Sequence, residues 1–190
     1  MRTLQTITVF AFFFIALNVK AQNETPRGYV KGTIVLSDNT SVSGFVKDKM
    51  KSDASVNFID ENQKKKTYSG SAILSLSIAQ ENYICIKGDF FKTICSGKLC
   101  FLQKMSDASR KPAYNGTEAI FSNGTEGKPG DYFIYNSEDK QLKLVAKKNF
   151  NETIATVFAG NTAALDKAKT VNGDPSQLKD AVEVYNNSHK

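Results

Sequence analysis

The fold is decided by residues 28–46, GYVKGTIVLSDNTSVSGFV, in which apolar side chains alternate with polar ones on both sides of a polar turn. The alternation runs through residues 30–36, stops at the turn sequence Ser-Asp-Asn-Thr of residues 37–40, and resumes over residues 42–46. A period of two residues is typical of a strand with one buried face. A short polar turn joins antiparallel strands. The stretch therefore predicts a β-hairpin.

The same period continues to Val145, and turn residues separate the apolar runs. Such a pattern is typical of a meander of antiparallel strands. The further predicted strands are one that begins at Val56 and residues 74–78, 83–87, 90–95, 99–104, 117–121, 132–135 and 141–145. The stretches 106–116 and 123–130 contain proline and glycine and are predicted to be loops.

After the last predicted strand the apolar period becomes that of a helix. The first predicted helix is capped near Asn149 and ends at Gly160, and the second covers residues 162–170. The third has Asp174 as its N-cap and Pro175 at its first helical position. The apolar side chains that these helices offer to a core are Phe150, Ile154, Phe158, Leu178, Val182 and Tyr185.

These patterns predict an α+β fold class. It consists of an antiparallel β-meander, forming a sandwich- or barrel-like sheet, with two to three short C-terminal helices packed on it. The predicted division is a signal peptide at 1–21, a β-rich part at 22–147 and a helical part of the same domain at 148–190. We expect the helices to cover a sheet face that carries residues such as Leu74, Leu76, Leu99 or Phe101.

Residues 1–21 have the three-part order of a secretory signal peptide. The charged start at Arg2 is followed by an apolar stretch, residues 7–17, whereas a membrane-spanning helix needs about 20 apolar residues. Val19 and Ala21 are the small residues of a cleavage site, so the mature chain is predicted to begin at Gln22. The alternative is an uncleaved anchor. Cleavage predicts export to the periplasm, the cell surface or the medium, with no transmembrane segment in the mature chain.

The charge of the predicted mature chain is mildly basic. Removal of Arg2 and Lys20 lowers the number of basic residues from 25 to 23 against 19 acidic ones, which leaves a net charge of +4. Nucleic-acid-binding domains usually concentrate basic residues on one face, whereas these lysines are scattered along the predicted strands. We therefore expect no binding of nucleic acid, and we expect an envelope protein or a polysaccharide as the partner.

The three cysteines, Cys85, Cys95 and Cys100, all follow the predicted signal peptide. An oxidising compartment permits one disulfide among them. A hairpin with loop residues 96–99 would place Cys95 and Cys100 opposite each other, within bonding reach. A two-residue turn would make them diagonal neighbours and strain the bond. The remaining alternative is three unpaired thiols that act as small apolar side chains.

The sequence carries no catalytic residue set that we recognise. His189, the next-to-last residue, is the single histidine, so schemes that combine histidine with serine, cysteine or several metal ligands are excluded. The carboxylate pairs Asp60-Glu61 and Glu138-Asp139 fall in predicted turns, where water keeps both members ionised. We therefore predict no catalytic residues, no cofactor and no metal, and a protein that is not an enzyme.

Several features resemble a family of uncharacterised exported proteins of Bacteroidota. They are the Ala21-Gln22 junction, the opening residues 28–34 with Asp38-Asn39, the segment 44–46 and the ending Val184-Tyr185-Asn186. In that family a β-meander is followed by a helical tail, here led by Phe150. The resemblance implies an envelope location and no assigned activity.

The functional expectation is a non-enzymatic binding or structural module of the cell envelope. The alternative is a periplasmic small-ligand carrier or hydrolase, which needs a cavity of several hundred cubic ångströms between sheet and helices. A deep pocket that gathers at least two of four polar residues would favour an enzyme. These residues are Glu118, Asp131, Tyr132 and Lys143.

Overall fold

The structure is a computed structural model that describes residues 25–110, 112–115, 118–121 and 124–188, with only the backbone given for residues 110–121. The predicted signal peptide, its cleavage site between Ala21 and Gln22, and His189 lie outside the described residues. In the described part, no helix has the length and hydropathy needed to span a bilayer.

Within the described residues, ten strands form one antiparallel sheet and two more form a separate hairpin. The strands are β1 (Val30–Leu36), β2 (Ser41–Lys49), β3 (Ser55–Asp60), β4 (Lys65–Ser69), β5 (Ile73–Ile78), β6 (Glu81–Ile86), β7 (Asp89–Cys95), β8 (Leu99–Lys104), β9 (Pro112–Asn115), β10 (Glu118–Phe121), β11 (Tyr132–Asn136) and β12 (Leu142–Val145). The order in the sheet is β12-β11-β8-β7-β6-β5-β1-β2-β3-β4, and β9 pairs with β10. The predicted antiparallel meander is confirmed.

The half of the sheet around β1 to β6 curls onto one of its own faces. β5 pairs with β1 instead of β4, and the connection from β4 to β5 includes a 3-10 turn, Gly70–Ala72. A Cβ atom on Gly70 would lie 2.1 Å from the carbonyl oxygen of Gly88, so this connection touches the turn between β6 and β7. The first core fills the enclosed face with Ile34, Val46, Met50, Val56, Phe58, Tyr68, Ile73, Leu76, Tyr83 and Phe90.

The described helices are α1 (Met50–Asp53), α2 (Phe150–Val157), α3 (Thr162–Lys169) and α4 (Lys179–Asn187). Asn161 caps α3, because its side chain accepts a 3.0 Å hydrogen bond from the backbone N–H of Ala164. Asp174 likewise accepts from the N–H of Ser176, but it caps a 3-10 turn, Pro175–Gln177, that leads into α4. The predicted cap residue is confirmed, and the α-helix itself begins later than predicted.

The C-terminal helices pack on the other half of the sheet. All six of their predicted core side chains are buried in a second core, together with Leu99 and Phe101 of β8 and Ile134 of β11. The prediction that the helices cover the sheet is therefore confirmed. Two of the expected sheet contacts were wrong, because β5 lies in the curled half. Leu74 is 42% exposed, and Leu76 belongs to the first core.

The reverse face of this second half is also apolar. Phe91, Leu102 and Phe133 are fully buried there and form a third core. The loop of residues 124–130 lies over it, since a Cβ atom on Gly127 would be 3.1 Å from Cζ of Phe133. Strands β7, β8 and β11 are therefore covered on both faces.

Three local elements differ from the sequence prediction. The strand predicted at 117–121 is observed as β10, but its partner β9 lies in a stretch predicted to be a loop. β4 begins at Lys65, in a lysine-rich segment to which the sequence pattern assigns no strand, and α1 was not predicted. Pairing with a neighbouring strand stabilises polar segments that have no apolar period of their own.

Candidate functional site

One face of β1 to β4 carries rows of polar and basic side chains on the side opposite the first core. Lys31 lies directly opposite Phe45 on β2, Phe45 lies opposite Ile59 on β3, and Ile59 lies opposite Lys65 on β4. The row crosses three gaps between strands, so its two lysines are about 14 Å apart along the sheet. An apolar pair thus stands between two positive charges.

A second row on the same face joins Lys47, Asn57 and Thr67. The Thr67 hydroxyl donates a 2.9 Å hydrogen bond to Oδ1 of Asn57, and the Lys47 ammonium lies 5.9 Å from the centre of the Tyr29 ring. Lys49 stands two residues further along β2, on the same side as Lys47.

A third row consists of hydroxyl groups. Thr33 lies opposite Ser43 on one side and Ser77 of β5 on the other, and the hydroxyl oxygens of Thr33 and Ser43 are 3.1 Å apart. These two hydroxyls bond to each other instead of to a base, so neither is activated as a nucleophile. We call this surface the basic face. It comprises the outward side chains of β1 to β4 together with Ser77, and its lysines are Lys31, Lys47, Lys49 and Lys65.

The positive charge of the basic face is not neutralised within the described residues. The two acidic residues of these strands, Asp48 and Asp60, alternate to the other side and accept hydrogen bonds from backbone N–H groups nearby. None of the four lysines forms an ion pair with a described residue. The face therefore presents four lysines with no acidic counterpart in its rows.

An open groove of about 1160 Å³ lies on the basic face. Lys31, Thr33, Ser43 and Ser77 are among its lining residues, and Glu61 of the turn between β3 and β4 supplies an acidic side chain at its edge. A surface of this kind can bind an anionic or hydroxyl-rich partner through hydrogen bonds and charge.

Two glycines let the strands beneath this face approach closely. Gly32 and Gly44 lie opposite each other on β1 and β2. A Cβ atom on Gly44 would be 2.3 Å from the carbonyl oxygen of Ile59, and one on Gly32 would be 2.6 Å from that of Ser77. No other residue fits at either position without a shift of the neighbouring strand.

The second notable polar feature is a buried ion pair. Nζ of Lys104 is 3.0 Å from Oδ2 of Asp89, and both side chains are fully buried. Asp89 also accepts hydrogen bonds from the Ser106 hydroxyl, the Ala108 N–H, and the N–H and hydroxyl of Thr125, at 2.7 to 3.2 Å. A buried charge is tolerated when it is paired and hydrogen-bonded in this way.

Lys104 holds the loop that covers the third core. Its ammonium group donates to the carbonyl oxygens of Thr125, Glu126 and Gly127 at 2.8, 3.1 and 3.2 Å. Both charged side chains are closed to solvent, and their hydrogen bonds fix the loop. Sequence reasoning missed the pair because Asp89 follows a turn-like Lys87-Gly88. One signal in the sequence could have revealed it. Lys104 lies two residues after the apolar Leu102 on the same strand face, which indicates a buried lysine.

The predicted bond between Cys95 and Cys100 is not present. All three cysteines are free thiols, and a bulge in β7 places Cys95 opposite Phe101. Because successive strand residues point to opposite faces, Cys100 lies on the other side of the sheet. Cys95 accordingly contacts the second core and Cys100 the third. The predicted bond needs a regular hairpin, which the bulge in β7 does not provide, and the structure corresponds to the alternative of three unpaired thiols.

No cleft in the described part of the chain gathers two of the four polar residues whose convergence would favour an enzyme. Asp131 accepts a hydrogen bond from the backbone N–H of Lys128, and the Tyr132 hydroxyl accepts one from Gln103. Lys143 lines a small cleft between sheet and helices. The side chain of Glu118 is outside the described part.

Metal-binding side chains are not grouped in the part of the chain that the structure describes. No cluster of three or more histidine, cysteine, aspartate or glutamate residues occurs there. Comparison with known proteins gives no further guidance: no family model, no curated protein and no solved structure matches this chain.

Proposed function

We propose that this chain is an exported, non-enzymatic binding module of the cell envelope and that it takes its partner on the basic face. The observation that carries the proposal is the alignment of four lysines on one sheet face without an acidic counterpart in the same rows. Unneutralised charge of one sign raises the local concentration of oppositely charged partners and speeds their association.

The way the sheet is covered supports the choice of this face. Strands β7, β8 and β11 have apolar cores on both sides, so neither side is free to take a partner. Strands β1 to β4 have the first core on one side and the basic face on the other. The expectation that the lysines are scattered does not hold for these four strands, because their register aligns the four residues.

The envelope location rests on the signal-peptide pattern of residues 1–21 and on the resemblance to exported proteins of Bacteroidota. In this proposal the partner is an envelope protein or a polysaccharide. A ligand carrier or hydrolase is less well supported by the two clefts between sheet and helices. One measures only about 130 Å³, and the other, about 550 Å³ between the β7–β8 turn and α4, is an open surface groove and not a cavity. Small-molecule pockets usually measure about 300 to 1,000 Å³.

The test is capture of partners from the protein's own envelope fraction by the mature chain and by two variants. The face variant carries Lys31→Gln, Lys47→Gln, Lys49→Gln and Lys65→Gln. The control variant removes the same number of charges elsewhere, through Lys128→Gln, Lys140→Gln, Lys147→Gln and Lys148→Gln. We expect a partner that is retained by the mature chain and the control and lost by the face variant. A partner retained equally by all three proteins would contradict the proposal.

A further inference from the structure

We infer that the partner of the basic face is an acidic polysaccharide, a polymer of hydroxyl-rich sugars that bear carboxylate groups. This inference rests on the proposed function, because it names the class of partner that the same face would bind.

The spacing of the lysines indicates an extended polymer. Lys31 and Lys65 stand at the two ends of one row, about 14 Å apart, and Lys47 and Lys49 are about 7 Å apart along β2. Lys31 and Lys65, at the two ends of the row, are too far apart to meet on one small anion. They match carboxylates repeated along a chain, each of which meets a different lysine.

The uncharged side chains between the lysines match sugar hydroxyls. Thr33, Ser43 and Ser77 form one hydroxyl row, and Asn57 and Thr67 form part of another. Hydroxyl and amide side chains both donate and accept hydrogen bonds, as sugar hydroxyls do. The open groove over the first of these rows gives a polymer room to lie along the sheet.

Other polyanions and a protein partner fit the face less well. Single-stranded nucleic acid needs several aromatic rings on which successive bases stack, but Phe45 is only 7% exposed, and the half-buried Tyr29 beside Lys47 offers a single ring. Stable binding to a lipid surface usually adds buried apolar side chains to the attraction of charge, and the centre of a protein interface is apolar. The exposed large apolar residues among the described ones are Val30 and Leu74, and neither belongs to the rows of the basic face.

The experiment measures binding of the mature chain to alginate, a polymer of uronic acids, and to neutral dextran of similar length. Vesicles rich in phosphatidylglycerol and short duplex DNA are the competing polyanions. We expect binding to alginate that weakens with salt, with no binding to dextran and weaker binding to vesicles and DNA. The face variant should bind alginate about tenfold more weakly or worse, since each exposed ion pair contributes a modest amount. The control variant should change by less than about threefold.

A mapping experiment on the unmodified chain keeps the test independent of variant folding. A carbodiimide couples lysine amines to alginate carboxylates that lie close to them, and peptide mass spectrometry locates the coupled lysines. We expect coupling at Lys31, Lys47, Lys49 and Lys65 ahead of Lys128 and Lys148.

Three results would overturn the inference. They are equal binding to alginate and dextran, equal losses in the face and control variants, and tighter binding to vesicles or DNA than to alginate. If capture of the envelope partner still requires the four lysines in any of these cases, the proposed function stands and only the sugar class is wrong. If the envelope partner does not depend on them, the proposed function fails as well.

Discussion

The two halves of the sheet bury their apolar faces in different ways. Strands β1 to β6 curl round the first core and need no helix to cover it. Strands β8 and β11 are covered by α2, α3 and α4 on one side and by the loop of residues 124–130 on the other. One meander can therefore be closed by its own curvature or by added elements. Among the described strands, those of the curled half leave a face with polar and basic rows for a partner.

The largest effect is expected from removing the helical cover. A chain that ends at Lys147 should not unfold cooperatively, because Leu99, Phe101 and Ile134 would lose the helices packed on them. Phe158→Ala, at a fully buried site that contacts Tyr185, should cost about 3 to 5 kcal/mol of unfolding free energy. Urea unfolding measures both. Leu74→Ala, at an exposed site, is the control and should change the free energy by less than about 0.5 kcal/mol. An unchanged thermal midpoint in the shortened chain would show that the helices are an appendage.

A loss of similar size is expected on the reverse face of the same half. Lys104→Met leaves the buried Asp89 carboxylate without its positive partner, and such a change costs about 3 to 5 kcal/mol. Hydrogen exchange should also show that the loop of residues 124–130 opens more readily. Lys128→Met, at an exposed lysine in the same loop, is the matched control. A cost below about 1 kcal/mol for Lys104→Met would mean that the pair does not hold the loop.

A small, pH-dependent effect on stability is expected at Glu81 of β6, where the curled half meets the other half of the sheet. Lys92, and after it the hydroxyl of Tyr83, lower the pKa of Glu81 from its ordinary value of 4.5. The ionised form is therefore favoured in the folded state. Its stabilisation is present above the ordinary pKa and is lost as the pH falls through the lowered one. Glu81→Gln should cost less than about 1 kcal/mol at pH 7, and this difference should vanish in acid. Thermal unfolding at several pH values measures it, and a difference that persists in acid would contradict the assignment.

The smallest effect is expected from reducing agents. Because Cys95 and Cys100 lie on opposite faces, the denatured protein should take up three alkyl groups without prior reduction, and a reductant should not change the thermal midpoint. In the native state Cys85 should react slowly, because burial raises the pKa of its thiol. Uptake of a single alkyl group without reductant would show that a disulfide forms after all.

Much of the architecture could be predicted from local patterns. The hairpin of residues 28–46 and the helical faces led by Phe150 and Leu178 follow from the apolar period. The core that a given strand face joins could not be predicted, because Leu76 and Phe101 lie in similar sequence patterns but belong to different cores. The core that Leu76 joins is decided by the strand with which β5 pairs, and strand pairing is a long-range property.

The site was harder to predict than the fold. Each lysine of the basic face looks like an ordinary solvated residue in the sequence, and only the register of four strands shows that they share one surface. The bulge in β7 that separates Cys95 from Cys100 has no signal in the residues that we recognise. Both features depend on strand pairing, which one-dimensional periodicity does not specify.

Mapping of the bound surface by NMR tests whether the partner binds the basic face. The mature chain, labelled with nitrogen-15, is titrated with the acidic polysaccharide fraction of its own envelope, and the shifts of backbone amides are followed. We predict that the largest shifts occur in β1 to β4, at residues such as Lys31, Ser43 and Thr67. Shifts confined to α2, α3, α4 and β12, with β1 to β4 unchanged, would show that the partner binds elsewhere.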